Sequence, residues 1–173
     1  TAVKVEETVV KNLDVLTDKY KETVSAGESY KVEMAVEAKK DTEIATATQN
    51  KMVKEANQGE DAKATNIDFL DIVIKKTITK NSVEQTPELI TDTGSTVMEI
   101  IIPFNFTGKT KVKVLREHNG VVEKFNETTT GTDGTCKIDK ENGLIILYAT
   151  KFSTYAVSYV AEGEKAIEEP AKP

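Results

Sequence analysis

The chain has 173 residues, 38% apolar, 30% charged and 6% aromatic, with no tryptophan, which is enough for one well-packed domain or two small ones and excludes a disordered chain. Its 23 basic and 29 acidic residues leave a net charge of -6, so it offers no basic field to nucleic acid or to an anionic membrane surface. A single Cys136 excludes an internal disulfide framework and a multi-cysteine zinc site, a single His118 leaves most metal and acid-base constellations without their usual residue, and no run nears the roughly 18 apolar residues of a membrane helix.

The chain opens at Thr1 without an initiator Met and without the sections of a signal peptide, and so reads as a mature fragment or an excised segment. Val3, Val5, Val9 and Val10, followed by Leu13, Val15 and Leu16, predict one or two N-terminal strands. Tyr30, Val32, Met34 and Val36 alternate with Lys31, Glu33, Ala35 and Glu37, which gives a strand with one core face and one wet face. Asp41 to Asn57 breaks this period. Ile44, Thr48, Met52 and Ala56 recur every four residues, Asp41 can cap the start and Gly59 can lie just past the end, so one short helix is expected, on the edge or end of a sandwich because its apolar stripe is narrow.

Ile67 to Thr79 is apolar on both faces in its middle and should be a central strand. Val97 to Ile102 ends at Pro103, which removes a ladder donor and so closes the strand or sets its end at an edge. Three turn dipeptides, Asn119-Gly120, Asp133-Gly134 and Asn142-Gly143, then separate strand-like runs at 110–117, 121–125, 135–139, 144–150 and 152–160. Such pairs favour tight hairpins, so these runs are expected to form an antiparallel meander. Ala161 to Pro173, rich in Glu, Lys, Ala and Pro, reads as a flexible linker.

Few residue sets carry chemistry. His118 is the only imidazole that could serve a nucleophile, and beside the Asn119-Gly120 turn it reads as an exposed turn residue. Asp68 with Asp71, or Asp139 with Glu141, would supply the two carboxylates of a glycosidase, but spacing alone gives them no shared cleft, and they read as solvated strand faces. The Asp133-Gly134 and Glu141-Asn142-Gly143 segments have oxygen ligands, lack the spacing of a twelve-residue calcium loop and suit turns without a metal. Cys136 reads as a small buried hydrophobe.

The stretch Lys151-Phe152-Ser153-Thr154-Tyr155-Ala156-Val157, preceded by Gly143 to Thr150, is the most specific in the chain. Together with Phe69-Leu70-Asp71-Ile72, the strand ending at Pro103 and Val114 to Val122, it resembles the β-rich modules repeated in surface proteins of Gram-positive gut bacteria, which end in a phrase close to HFSTYA; the similarity covers roughly Val24 to Tyr159. The phrase is also similar to the HFS motif of the zona-occludens and netrin-receptor type β-sandwich, some members of which cut their own chain between Phe and Ser. That resemblance implies attack by the Ser153 hydroxyl on the preceding carbonyl with a neighbouring base. Lys151 stands where the motif has His, and its ammonium cannot accept the proton at neutral pH. On the non-catalytic reading Phe152 and Tyr155 pack on opposite faces and Ser153 is merely tolerated. Modules of this habitat also carry internal crosslinks, but Phe152 to Val160 has no Asn for an isopeptide, and Gln49, Gln58 and Gln85 lie in no thioester motif with Cys136.

The expectation is therefore an all-β antiparallel β-sandwich over residues 1–160 with one short helix insertion; a division into two packed β subdomains near 103–109 stays open, and 161–173 is a linker. No catalytic, cofactor-binding or metal-binding residue is expected. The resemblance implies a structural or adhesive module of a secreted, cell-wall-associated bacterial protein at the cell surface, partnered by neighbouring modules of its own chain and by a host or cell-surface glycan or protein. The alternatives are a carbohydrate-binding module using Tyr20, Tyr30, Tyr148 or Tyr159, and a domain that cleaves itself at Phe152-Ser153.

Overall fold

A computed structural model describes residues 2–22, 24 and 26–168. It contains the strands β1 (Val9–Val10), β2 (Glu28–Lys39), β3 (Asn66–Lys80), β4 (Val83–Glu84), β5 (Glu88–Ile90), β6 (Met98–Pro103), β7 (Lys109–His118), β8 (Val121–Lys124), β9 (Asn126–Glu127), β10 (Thr135–Asp139), β11 (Leu144–Ala149) and β12 (Thr154–Ala161), with helices α1 (Leu13–Lys21) and α2 (Thr46–Asn57). One sheet has the order β1-β6-β11-β10-β9 and the other β2-β3-β12-β7-β8, with β4 and β5 also paired to β3. Neighbours are antiparallel throughout except β9 and β10. Among the described residues no helix is long and apolar enough to cross a membrane.

The two sheets pack face to face because each contributes every second residue to one buried cluster. Leu70, Ile72 and Ile74 of β3, Val112 and Val114 of β7 and Tyr155 and Val157 of β12 meet Met98, Ile100 and Ile102 of β6 and Ile145, Leu147 and Ala149 of β11. The alternation that predicts β2 is present, with Tyr30, Val32, Met34 and Val36 half-buried and the residues between them exposed. β3 is central, flanked by β2 on one side and by β12, then β5 and β4, on the other. Both sheets contain strands from both sides of 103–109: β6 lies beside β11, and β3 beside β12.

Four expectations need correction. The N-terminal apolar run holds only the two-residue β1; residues 13–21 are helical, because Leu13, Leu16 and Tyr20 recur at helical spacing with Asp14 in the first turn and Lys19 and Lys21 in the last. Asn12, just before this helix, is fastened to β6: its Nδ2 donates to the Val97 carbonyl at 2.8 Å and its Oδ1 accepts the Glu99 N–H at 3.0 Å. The second helix begins at Thr46, five residues later than expected, after a 3-10 turn at Asp41–Glu43. It covers the outer face of the larger sheet rather than an edge, where Ile44, Met52 and Ala56 close over Phe69, Leu115 and Ala156. That contact makes β3, β12 and β7 buried on both faces.

The last third is not a meander. The β7–β8 hairpin lies in the larger sheet, the β10–β11 hairpin in the smaller one, and β12 returns to the larger sheet between β3 and β7. Asn119-Gly120 makes the expected two-residue turn, with φ of 51° and 82°. Asp133-Gly134 instead precedes β10 after the chain has crossed between sheets, and β9 pairs with β10 in parallel. The described part of the tail, 162–168, keeps a tie to the body through the Ile167 N–H, which donates to the Ala64 carbonyl at 2.8 Å; residues 169–173 lie outside the described residues.

The helical reading of 13–21 makes a sharp prediction. Leu16 is fully buried and Val15 is 50% exposed, so Leu16→Ala should cost about 2–5 kcal/mol in urea unfolding while Val15→Ala stays within about 0.5 kcal/mol of wild type. Equal losses at the two positions would contradict the helix.

Candidate functional site

The densest polar arrangement lies inside one end of the sandwich, on the last turns of β7 and β8. The inward face of β7 runs Val112, Val114, Arg116, so the period that buries two valines also buries a guanidinium. Arg116 is 1% exposed, a position a charge holds only when it is paired. Its Nη1 donates to Asp133 Oδ1 at 2.8 Å and its Nη2 to Asp133 Oδ2 at 3.2 Å, a two-pronged grip, and Nη2 also reaches Glu123 Oε2 at 2.7 Å. The guanidinium carbon stands 5.0 Å from the Phe125 ring centre.

Each partner arrives for a local reason. The two-residue turn at Asn119-Gly120 sets the register Arg116↔Glu123, which places opposite charges across the hairpin. Asp133 comes from the loop that joins β9 to β10, and the Thr150 N–H at the end of β11 donates to its Oδ1 at 2.8 Å. Tyr155 of β12, the register partner of Arg116, is fully buried, and its hydroxyl donates to the Lys151 carbonyl at 2.5 Å. One cation thus joins β7, β8, the β9–β10 loop and the start of β12.

The charge states follow from these contacts. Burial works against the Arg116 charge, but the bonds to Asp133 and Glu123 and the neighbouring Tyr155 override it and raise its pKa. For Asp133, burial pushes the pKa up, and the Arg116 bonds and the Thr150 N–H more than reverse this, holding it below the usual carboxylate value. Burial pushes the Tyr155 phenol up, so it remains a donor. Burial likewise pushes the Cys136 thiol up to about 12, ahead of the effects of Glu127 and Lys113, which keeps it protonated at neutral pH.

The closing phrase lies beside this network. Phe152 is 1% exposed and its N–H donates to the Thr91 carbonyl at 2.9 Å. The Ser153 hydroxyl donates to the Glu117 carbonyl. The main chain of Lys151 forms an isolated antiparallel β-bridge with that of Asp92. Phe152 and Tyr155 do not face opposite ways: a bend at Ser153 precedes β12, so both enter the one core cluster. His118 is also not an exposed turn residue. It is the last residue of β7, half-buried, paired in register with Val121, and its Nδ1 is buried without a partner among the described residues.

The other candidates are dispersed. Asp68 accepts the Val3 N–H and faces into the sandwich, whereas Asp71, three residues on, faces outward and pairs with Lys39 at 2.6 Å. Asp139 is engaged in its turn, where the Asn142 side chain and N–H donate to it and lower its pKa, and Glu141 is exposed. Cys136 sits in β10 of the smaller sheet, Gln49 lies on α2 and Gln58 directly follows it, outside the larger one. The tyrosines share no platform. Tyr20 and Tyr30 lie 6.1 Å apart with Lys76 Nζ over both rings, Tyr148 donates to Glu99 at 3.2 Å, and Tyr159 packs edge-on against Phe104.

Sequence reasoning missed Arg116, Glu123 and Asp133. The first two were readable: Arg116 continues the inward period of Val112 and Val114, and the Asn119-Gly120 turn alone pairs it with Glu123. Asp133 carried no such signal, since its partner comes from another sheet. Comparison of the chain with protein-family models, with curated proteins and with solved structures finds no match.

The depressed Asp133 pKa fixes a pH dependence. The stability it contributes is present above the ordinary carboxylate pKa of about 3.9 and is lost as pH falls through the lower folded value. Wild type should therefore lose thermal stability steeply below about pH 4, and Asp133→Asn should be less stable at pH 7 with a shallower acid slope. Parallel acid slopes for the two proteins would show that Asp133 does not supply this linkage.

Proposed function

We propose that this chain is a non-catalytic structural or adhesive module of a secreted, cell-wall-associated bacterial surface protein. The observation that carries the reading is how the closing phrase is used. Phe152 and Tyr155 fill the core, and the hydroxyls of Tyr155 and Ser153 donate to main-chain carbonyls, of Lys151 and Glu117 respectively. The residues that resemble the surface modules are here fastening a strand. A buried arginine clamp and a sheet covered by α2 fit the same role, because a module exposed outside a cell gains from a well-fastened β-sandwich. The sugar-binding alternative draws no support from the tyrosines: Lys76 Nζ lies over the Tyr20 and Tyr30 rings, Phe104 stands edge-on to Tyr159, and the Tyr148 hydroxyl donates to Glu99.

The self-cleaving alternative needs a free hydroxyl and a base at Ser153. The Ser153 hydroxyl is turned to the Glu117 carbonyl, and a lysine, Lys151, stands where the self-cleaving motif has its histidine. Intact mass of the purified chain after prolonged incubation should show one species, unchanged by Ser153→Ala; two fragments meeting at Phe152-Ser153, lost in that variant, would replace the proposal by self-processing. For the location, antibodies raised against the module should label intact source cells without permeabilisation. Labelling only after permeabilisation would overturn the cell-surface reading.

A further inference from the structure

The edge of the larger sheet has a notch. β2 ends at Lys39, opposite Phe69, because the chain turns away there to build α2. β3 begins three residues earlier, at Asn66, so residues 66–68 have β12 on one side and no strand on the other. The direction of the main-chain groups follows from bonds further along. The Ile72 N–H goes to Ser153 on the β12 side and the Asn81 N–H to Gly27 on the β2 side, so even-numbered residues of β3 bond toward β12 and odd-numbered ones toward β2. The N–H and C=O of Ile67 therefore point into the gap that β2 leaves.

That gap is a cleft of roughly 510 Å³. Val3 and Val5 line it on the side of the smaller sheet, beside the Asp68 carboxylate that accepts the Val3 N–H, with Ala38 and Phe69 at its end and Lys40 and Thr42 at its rim. Lys39 at the same rim is paired with Asp71, whereas the Lys40 ammonium has no ion-pair partner among the described residues. An apolar slot with a strand edge along one wall and a cation at the mouth selects its occupant by main-chain geometry first, then by alternate apolar side chains, then by a negative charge.

We infer that the open edge at 66–68 takes up an extended peptide segment of a partner protein as an added strand, with alternating apolar residues and an acidic residue facing Lys40. The added strand continues the line of β2, bonds through the Ile67 N–H and C=O, and lays its side chains alternately toward Val3 and Val5 and toward Phe69 and Thr42. This inference stands on the sheet edge and does not depend on the module's role.

The test uses a synthetic hexapeptide alternating valine and glutamate, titrated into the isotopically labelled full chain. Saturable amide shifts are expected at 66–68 and 38–40. Ile67→Pro removes the donor that faces the gap, at an edge position where proline is tolerated, along with a side chain packed on the α2 cluster, and should weaken binding by about tenfold or more, equivalent to about 1.4 kcal/mol; Ile67→Val, which keeps the donor, should bind as wild type. Ala38→Arg, at an exposed position, should block the slot without touching the core, and keeps the test decisive if the proline variant does not fold. Lys40→Glu should weaken the glutamate peptide and favour one of valine and lysine. Absence of shifts at 66–68, or binding unchanged by Ala38→Arg, would overturn the proposal; so would concentration-dependent shifts at 66–68 without peptide, which would make a second copy of the chain the occupant.

Discussion

A guanidinium inside a sandwich costs several kcal/mol of lost hydration, and the architecture of this chain is arranged around meeting that cost at Arg116. The pairing comes from three directions. Glu123 is supplied by the adjacent strand of a two-residue hairpin, Asp133 by the loop that joins β9 to β10 in the smaller sheet, and the Phe125 ring by the segment where the chain passes from one sheet to the other. Asp133 also holds the end of β11 through the Thr150 N–H, so the charge pair fastens the larger sheet to the smaller one. At the other edge of the larger sheet the task is apolar: α1 packs on β2 and brings Leu16 into the core, and Asn12 holds that helix to β6.

This division explains the closing phrase. β12 is the strand that must re-enter the larger sheet after the β10–β11 excursion, and it must land between β3 and β7 in one register. Tyr155 determines that landing. Its ring fills the core beside Phe125, at 5.9 Å between ring centres, it sits opposite Arg116, and its hydroxyl ties back to the Lys151 carbonyl four residues earlier. Phe152 anchors the bend before it, and Ser153 ties that bend to β7. The work of the phrase in this chain is placing the last strand.

The sequence disclosed what depends on local period and left hidden what depends on partners far along the chain. Alternation marked β2, β3, β6 and the halves of each hairpin, and the four-residue spacing of Ile44, Met52 and Ala56 marked α2. Asn119-Gly120 and Asn142-Gly143 join neighbours that do pair, but Asp133-Gly134 does not, and no dipeptide says which sheet receives a hairpin, so the two late hairpins read as one meander. Leu13 and Leu16 in a valine-rich run read as strand because a nine-residue helix carries only a few apolar positions. His118 read as a turn residue because it adjoins Asn119-Gly120, whereas its place on the inward face of β7, two residues after Arg116, draws it half inside.

The account makes Arg116 and Asp133 a coupled pair rather than two polar residues that happen to be near, and a double-mutant cycle measures this directly. Unfolding free energies of wild type, Arg116→Met, Asp133→Leu and the double variant, taken at pH 7, should give a coupling above about 1 kcal/mol, with the double variant more stable than the sum of the single losses predicts. Additive losses, with a coupling near zero, would contradict the claim that this pair closes the sandwich.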